Sequence, residues 1–393
     1  MIYKKFKDKE LSWLGMGVMR MPTTEPGGPI DEKKAKELID HAYNNGINYF
    51  DTSYFYHGGD SERFIGEALR QYPRESWYLA DKMPGNLMTY ADGKLSLNGF
   101  GMASWEVSGA SDVFEYQLNK CGVDYFDFYL LHNLAETTYG IYTNEELAIV
   151  EYLIGQKKAG RIKHLGFSSH GRTETIENFL KFLKSKNFLD DVEFCMIQLN
   201  YLDWTLQGAG RKYELLTKYN IPVFVMEPTR GGKLCNLKDE AGSLLKNCRP
   251  DSQAAWAFRY LQSLDNVALI LSGMSSMEQL EENIKIFSTK NPITSEEKAV
   301  LDQVVETIAE LAPCTACRYC VDICPKGLDI PVLLSMYNEA AYEVSWTVRS
   351  AINALDAGKA PADCIACGMC NPLCPQEINI PSALEKFDKL LAV

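Results

Sequence analysis

Short runs of apolar and β-branched residues alternate with amphipathic stretches between about residues 11 and 290. Eight of these runs predict strands: Trp13–Val18, Ile47–Asp51, Trp77–Lys82, Phe126–His132, Ile162–Ser168, Cys195–Leu199, Val223–Glu227 and Val267–Ser272. The stretches between them predict helices, one capped by Asp31, one beginning at Ser61, and others near 105–120, 145–159, 173–185, 209–219, 252–264 and 277–287. This alternation predicts a parallel (β/α)₈ barrel. An open doubly wound sheet is the alternative, although no G-x-G-x-x-G follows the first strand.

Two connections between these elements are long, at about 84–104 and 228–250. Each follows a predicted strand. In a barrel both would lie on the face where the carboxyl ends of the strands meet, which is where barrel active sites form. The alternative is that both are surface loops without a part in an active site.

Composition narrows the class of protein. The chain has 393 residues, of which 46% are hydrophobic and 23% charged, so intrinsic disorder is excluded as its main state. Its net charge of −12 gives no overall attraction to nucleic acid or anionic lipid. It contains no run of 18 apolar residues, and its basic N-terminus lacks the apolar stretch of a secretory signal. We therefore expect a cytoplasmic protein without nucleic-acid or membrane partners.

The cysteines are distributed unevenly. Of the 12 in the chain, eight fall in the last 80 residues, and in a reducing compartment metal binding is a better explanation for them than disulfides. They follow a predicted helix near 294–312 and form a repeat with a period of 50 residues, separated by another predicted helix at 332–358. The repeated cysteines are Cys314, Cys317, Cys320 and Cys324 in the first half and Cys364, Cys367, Cys370 and Cys374 in the second.

Each half of this repeat reads C-x2-C-x2-C-x3-C-P, which is the spacing of a 4Fe–4S ligand set whose fourth thiolate serves the other cluster. The predicted ligands of one cluster are Cys314, Cys317, Cys320 and Cys374, and those of the second are Cys364, Cys367, Cys370 and Cys324. The segment resembles the two-cluster bacterial ferredoxins, in an α-helical form. Two zinc sites with four cysteines each are the alternative.

Polar side chains stand in order at the carboxyl ends of the predicted strands. They belong to five segments: Phe50–Tyr56, Ala80–Lys82, Tyr129–His132, Gly166–Ser169 and Ile197–Tyr201. The first segment is followed by Gly58–Glu62 and Gly66–Leu69, which are part of the same pattern. Together these segments resemble the aldo-keto reductase family over about residues 1–290. The resemblance implies hydride transfer between NAD(P)H and a carbonyl or alcohol substrate, with Tyr56, Lys82, Asp51 and His132 as the catalytic residues.

The chemistry suits these four residue types. Reduction of a carbonyl requires a proton donor, and a free tyrosine, with a pKa of about 10, is a weak acid near neutral pH. We expect the ammonium of Lys82 to lower the pKa of Tyr56, Asp51 to hold Lys82, and His132 to donate a second hydrogen bond to the carbonyl oxygen. Each residue taken alone also has an ordinary structural explanation.

The resemblance also implies residues that contact the cofactor. They are Ser168, Ser169, Gln198, Met226, Gly273 and Asn283, and the residues themselves add the Gly231 and Gly232 pair as a candidate cofactor contact. Two of them depart from the family, since Ser169 replaces an asparagine and Met226 a stacking tyrosine. The loop after the last strand has no Lys or Arg, which puts a preference for NADPH over NADH in doubt. Arg230 and Lys233 are alternative sources of positive charge beside the Gly231–Gly232 pair, which is either an anion-holding nest or a turn.

The predicted organisation is a barrel over 1–290, a helical connector over 291–312 and a ferredoxin-type domain over 313–393. The leading hypothesis is an oxidoreductase that uses NADP(H) or NAD(H), with two 4Fe–4S clusters. The role of the tail stays open: it is structural, docks a redox partner protein, or supplies electrons to a flavin. The rival hypothesis is an electron-transfer protein whose barrel holds a flavin or acts as a scaffold.

Overall fold

The computed structural model describes residues 1–97, 105–237, 239–308, 312, 314, 318–374 and 376–392. Its strands are β1 (Tyr3–Phe6), β2 (Lys9–Ser12), β3 (Leu14–Gly17), β4 (Tyr49–Asp51), β5 (Tyr78–Met83), β6 (Met88–Ala91), β7 (Lys94–Leu97), β8 (Trp105–Val107), β9 (Phe126–Leu134), β10 (Ile162–Ser169), β11 (Val192–Gln198), β12 (Val223–Met226) and β13 (Val267–Ser272).

The helices are α1 (Glu32–Asn44), α2 (Ser61–Leu69), α3 (Ala110–Cys121), α4 (Tyr139–Tyr142), α5 (Ile149–Lys158), α6 (Thr173–Ser185), α7 (Asp203–Leu206), α8 (Ala209–Lys218), α9 (Asp239–Cys248), α10 (Gln253–Gln262), α11 (Met277–Ile286), α12 (Ser295–Ile308), α13 (Ile330–Tyr342), α14 (Trp346–Asn353) and α15 (Ile380–Leu391). None of the helices in the described part of the chain has the length and apolar character that a bilayer span requires.

Eight parallel strands close into a barrel in the order β3-β4-β5-β9-β10-β11-β12-β13, and β13 pairs with β3. All eight coincide with the runs predicted from the sequence, so the predicted (β/α)₈ barrel is confirmed. Individual ends differ by a few residues; the run predicted at Cys195–Leu199, for example, begins at Val192. The predicted N-cap is also observed, because Asp31 Oδ1 accepts a hydrogen bond from the Lys34 amide at 3.2 Å.

The barrel interior is filled by alternate residues of its strands, as the two-residue repeat of a strand requires. Large rings such as Phe128, Phe194 and Phe224 meet there in one hydrophobic cluster. Gly166 is needed beside them, because a Cβ at that position would lie 2.6 Å from the Phe194 ring. The same alternation points every second residue near a strand's carboxyl end into the barrel mouth.

Two sets of short antiparallel strands join the barrel. The hairpin β1–β2 precedes it, and Phe6 and Leu11 of this hairpin belong to the interior cluster. The connection predicted at 84–104 contains β6 and β7, which form a three-stranded sheet with β8, while residues 98–104 lie outside the described part. The helix predicted to begin near 105 begins at Ala110, because 105–107 is a strand of this sheet.

The chain divides into two compact units. The first comprises Met1–Asn200, Lys212–Cys235 and Ala254–Ile293, and the second comprises Tyr201–Arg211, Asn236–Gln253 and Thr294–Val393. In the second unit, the single helix predicted at 332–358 is two helices, since Ser345 begins α14 by accepting a hydrogen bond from the Val348 amide at 3.3 Å. The domain boundaries predicted at 290 and 312 stay a prediction.

Candidate active site and cysteine repeat

Three of the four predicted catalytic side chains lie inside the barrel near the carboxyl ends of neighbouring strands. Asp51 is the last residue of β4. Lys82 is on β5, two residues after Ala80, which faces into the barrel. His132 is on β9, two residues after Leu130, which also faces inward. The alternation along each strand therefore directs all three toward one mouth.

Lys82 is the centre of this group. Its Nζ donates to Asp51 Oδ1 at 2.5 Å and to the carbonyl oxygen of Thr52 at 2.5 Å. Burial is the largest single effect and lowers the pKa of Lys82, but the interactions with Asp51, Tyr56 and Asp81 together outweigh it, so the pKa is raised above its ordinary value. Lys82 therefore carries a fixed, buried positive charge.

Tyr56 follows β4 and faces this charge. The Lys82 Nζ lies 5.1 Å from the centroid of the Tyr56 ring. The side chain of Tyr56 is partly exposed to solvent. Tyr56 begins a short helical turn, and the next two residues, His57 and Gly58, have positive φ angles of 52° and 65°. The sequence-based prediction of a lowered pKa for Tyr56 is wrong for the net direction. Lys82 does lower that pKa, but desolvation by burial is the larger effect and raises it.

His132 is held as a neutral imidazole. Burial and the nearby charge of Lys82 bring its pKa well below the ordinary value. Its Nδ1 is 3.0 Å from Ser53 Oγ, and its ring is stacked on Phe55 with centroids 5.3 Å apart. The Tyr142 hydroxyl is 2.6 Å from the carbonyl oxygen of His132, which fixes the backbone there. The Tyr56 and His132 rings face each other edge to face at 6.2 Å.

The residues predicted to contact a cofactor lie around the same mouth, at or after the ends of β10 to β13. Ser168, Ser169, Gln198 and Asn283 are buried, Met226 and Gly232 are partly exposed, and Gly231 and Gly273 are exposed. The Ser169 hydroxyl donates to the Leu134 carbonyl oxygen at 2.6 Å and accepts from the Gly171 amide. Asn283 Nδ2 donates to Ser272 Oγ at 3.2 Å and so ties α11 to β13. Their roles in cofactor binding stay a prediction.

Sequence reasoning did not find Arg20, which follows β3. Its Nη2 is 3.2 Å from Glu227 Oε1, and its side chain runs along Gly273, where a Cβ would lie 3.0 Å from Arg20 Cδ. A Cβ on Gly231 would lie 3.2 Å from the guanidinium. Arg20 thus places a positive charge between the loops after β12 and β13, the second of which has no basic residue of its own. No local sequence signal identifies it, because barrel closure makes the contact. Ser53 and Phe55 contact His132 and were also not predicted, although both lie within the Phe50–Tyr56 segment.

In the second unit, four cysteines from both halves of the repeat line one cavity. They are Cys324 from the first half and Cys364, Cys367 and Cys370 from the second. These are the four residues predicted to hold the second cluster. The loop that carries three of them is curled by positive φ angles at Ala366 (54°) and Gly368 (72°). A cavity lined by four thiols, with mostly apolar residues and Lys326 around them, fits an iron–sulfur cluster, for which thiolates are the usual ligands.

The other predicted set is described only in part. Cys314, Cys320 and Cys374 pack in or against the hydrophobic core of the second unit, and Cys317 lies outside the described residues. Within the described part of the chain, no three histidine, cysteine or carboxylate side chains are grouped so as to hold a single ion. The assignment of all eight cysteines as ligands stays a prediction.

Solved structures with a similar fold were found. An aldo-keto reductase of Bacillus halodurans, AKR11C1, aligns with a TM-score of 0.60 and 24% identity, covering 77% of this chain and 96% of its own. An aldo/keto reductase of Klebsiella pneumoniae, solved with NADP and acetate, aligns with a TM-score of 0.58 and 18% identity, over 77% and 96% of the two chains. At these identities the likeness shows the fold.

Two curated relatives match over nearly their whole length. The uncharacterized oxidoreductase YqkF of Bacillus subtilis is 28% identical over 331 residues, which is 77% of this chain and 95% of the relative. L-Galactose dehydrogenase of Arabidopsis thaliana is 24% identical, over 77% of this chain and 90% of the relative.

Family models account for most of the sequence. The model of the aldo/keto reductase family matches residues 13–306, and that of a 4Fe-4S dicluster domain matches residues 313–379. The predicted fusion is therefore confirmed: the chain belongs to the aldo/keto reductase family, and a 4Fe-4S dicluster domain follows its barrel.

Proposed function

We propose that the barrel catalyses hydride transfer between NAD(P)H and a small carbonyl or alcohol substrate, and that the C-terminal domain carries two 4Fe–4S clusters which transfer electrons or dock a redox partner protein. One observation carries the catalytic part. The buried ammonium of Lys82 lies between the Asp51 carboxylate and the Tyr56 ring, beside a neutral His132. Reduction of a carbonyl requires a proton donor and a neutral hydrogen-bond donor beside it, and Lys82 offsets part of the rise that burial causes in the pKa of Tyr56.

A bound nicotinamide cofactor would supply the hydride. In the direction of reduction, Tyr56 donates its phenolic proton to the carbonyl oxygen and Lys82 stabilises the resulting phenolate. Because Ser53 Oγ is close to Nδ1 of His132, a hydrogen bond donated by Ser53 leaves the imidazole proton on Nε2. His132 then donates from Nε2 to the same carbonyl oxygen. In oxidation, the Tyr56 phenolate accepts the proton of the alcohol.

The dinucleotide phosphates are proposed to bind near Arg20. Its side chain lies between two glycines of the predicted cofactor set, with Gly231 beside the guanidinium and Gly273 beside the aliphatic stem. The carboxylate of Glu227 holds the guanidinium at this rim. Arg20 thereby provides the positive charge that the loop after β13 lacks.

The clusters are proposed to be held by Cys314, Cys317, Cys320 and Cys374, and by Cys364, Cys367, Cys370 and Cys324. In support of this assignment, the fourth cysteine of the first half, Cys324, lines the same cavity as the first three cysteines of the second half. Clusters bound in this way would supply single-electron transfer, whereas the barrel reaction moves two electrons at once.

Anaerobic purification followed by titration tests the proposal. Iron and acid-labile sulfide are measured first, and the visible spectrum is then recorded during additions of NADPH and NADH, with and without a panel of aldehydes and ketones. We expect about eight irons per chain, binding of one nicotinamide nucleotide, and its oxidation when a carbonyl is present. A flavin absorption band without any carbonyl reduction would overturn the catalytic part, and zinc in place of iron would overturn the cluster part.

A further inference from the structure

A buried polar network lies outside the barrel, behind the strand that carries Lys82. Strand β4 ends at Asp51, which pairs with Ala80 on β5. Beyond Ala80, no strand in the described part of the chain pairs with β5 on that side, and side chains bond the peptide groups of Lys82 instead. Asp81 Oδ1 accepts from the Lys82 amide at 2.8 Å, and Gln117 Nε2 donates to the Lys82 carbonyl oxygen at 3.0 Å.

The two side chains that hold Lys82 are themselves connected. Gln117 Nε2 also donates to Glu62 Oε1 at 2.8 Å, and the hydroxyl of Tyr129 donates to Gln117 Oε1. The carboxyl groups of Glu62 and Asp81 interact within this network, and burial raises the pKa of both. Because two neighbouring carboxyl groups in a buried site do not both ionise readily, we expect the pair to carry one proton and one negative charge. All of these side chains are fully buried.

The surroundings of the pair allow this charge state. The charged and titratable groups that face the pair are Lys82 on β5, Lys120 and Cys121 on α3, and Tyr129 on β9. Lys120 Nζ lies 3.6 Å from Glu62 Oε2 and balances the single charge. Cys121 Sγ donates to Asp81 Oδ2 at 3.8 Å. Burial raises the pKa of the Cys121 thiol and of the Tyr129 hydroxyl well above their ordinary values, so both stay protonated.

We propose that Glu62, Asp81 and Gln117 form a proton-sharing brace that positions the backbone of Lys82, and that the single negative charge of the brace helps to keep the Lys82 ammonium protonated. These are positioning residues, because they act on the reaction through Lys82. The inference rests on the proposed catalytic role of Lys82. Reaction geometry is demanding: a displacement of about 1 Å can cost about 10²-fold in rate.

Isosteric variants separate the charge of the brace from its shape. In Glu62→Gln, the new amide donates to Asp81, which keeps the one negative charge. In Asp81→Asn, the charge moves to Glu62, and the asparagine oxygen still accepts from the Lys82 amide. The double variant keeps the shape and removes the charge. Gln117→Leu releases the Lys82 carbonyl oxygen, and Gln71→Leu, which loses surface bonds to Asp40 and Ala68, is the matched control.

The readouts are kcat, KM for the nucleotide and the pH profile of kcat, measured on iron-replete full-length protein together with its unfolding midpoint. We expect both single carboxyl variants to keep the parent pH profile. In the double variant the alkaline limb should move to lower pH, since Lys82 loses a neighbouring negative charge that raises its pKa. Gln117→Leu should lower kcat about 10- to 100-fold with KM unchanged, and Gln71→Leu should not.

Two results would overturn the brace. One is a double variant with the parent pH profile. The other is a Gln117→Leu variant that is less stable but keeps the parent kcat. The catalytic role of Lys82 is checked separately with Lys82→Met. If Lys82→Met retains the parent kcat, the proposed function fails, and this outcome is distinguishable from failure of the brace alone.

Discussion

Replacing Lys82 by methionine should destabilise the barrel far more than removing an exposed lysine. Methionine keeps most of the volume of the lysine stem, so the main loss is the ammonium. That ammonium makes two bonds of 2.5 Å, and its side chain and that of Asp51 are 2% and 1% exposed, so water cannot replace it. Removal of one partner of a buried ion pair costs about 3–5 kcal/mol. We expect a loss of this size in the free energy of unfolding.

The chain offers a matched control. Lys36 Nζ bonds Asp40 at the same 2.5 Å, but these two side chains are 45% and 33% exposed. Water can solvate Asp40 when the lysine is lost, so Lys36→Met should cost less than about 1 kcal/mol. The Asp51→Asn/Lys82→Met double variant should recover about 1–3 kcal/mol relative to the sum of the single losses, because no unpaired charge remains.

The pH dependence of the Lys82→Met variant has a definite sign. Burial already raises the pKa of Asp51, and the opposing effect of Lys82 is lost in the variant. A carboxyl whose pKa is higher in the folded than in the unfolded state binds more protons when folded. Stability is then lost as the pH rises through the folded-state pKa. Lys82→Met should therefore be more stable at about pH 5 than at about pH 8, relative to the parent.

Urea unfolding followed by tryptophan fluorescence measures these differences, since Trp13 and Trp256 are both fully buried in the first unit. The reasoning is refuted if Lys82→Met loses no more stability than Lys36→Met, or if its stability relative to the parent does not depend on pH.

Three further substitutions test separate parts of the site. His132→Phe removes the second hydrogen-bond donor and should lower kcat about 10²- to 10³-fold while the Kd for the nucleotide stays constant; a larger effect on Kd than on kcat would contradict this. Arg20→Met should weaken binding of the nucleotide about 10- to 100-fold by calorimetry. The control Arg161→Met, which loses bonds to Glu115 and Gln156 and a contact with the Phe114 ring, should bind like the parent, and equal Kd values for the two variants would exclude Arg20 from the phosphate site. Cys370→Ser should lower iron and sulfide by roughly half, whereas Cys248→Ser, which lies outside the repeat and is exposed, should not.

Much of the barrel could be predicted because its signal is local. The strand runs are apolar, they recur with helical stretches between them, and the polar residues that follow them mark one end of the barrel. Asp51, Lys82 and His132 were identifiable for this reason. They stand at strand ends, and the inward alternation of each strand brings them together.

Other features depend on contacts between distant segments. The direction of the pKa shift of Tyr56 depends on how much protein surrounds the phenol, which no sequence window reports. Arg20 meets Gly231 and Gly273 only when the barrel closes. The side-chain bonds to Lys82 from Asp81 and Gln117 arise because β4 ends earlier than β5.

The small sheet of β6, β7 and β8 was not predicted from the sequence, although its first turn has a recognisable sequence signal. Asp92 and Gly93 connect β6 to β7, and their φ angles are 51° and 73°. An Asp-Gly pair with both φ positive is typical of a type I′ turn, the favoured two-residue connection of a hairpin. The flanking strands have four residues each, so the periodic pattern was too short to identify without the turn.

The central claim is that Tyr56 donates the proton in a reaction made possible by Lys82. Its most direct test is kcat for carbonyl reduction by the Tyr56→Phe variant, with nucleotide affinity and iron content measured on the same preparation. The account predicts a rate about 10²- to 10⁴-fold below that of the parent, with affinity and iron unchanged. A variant that reduces carbonyls at the parent rate would contradict it.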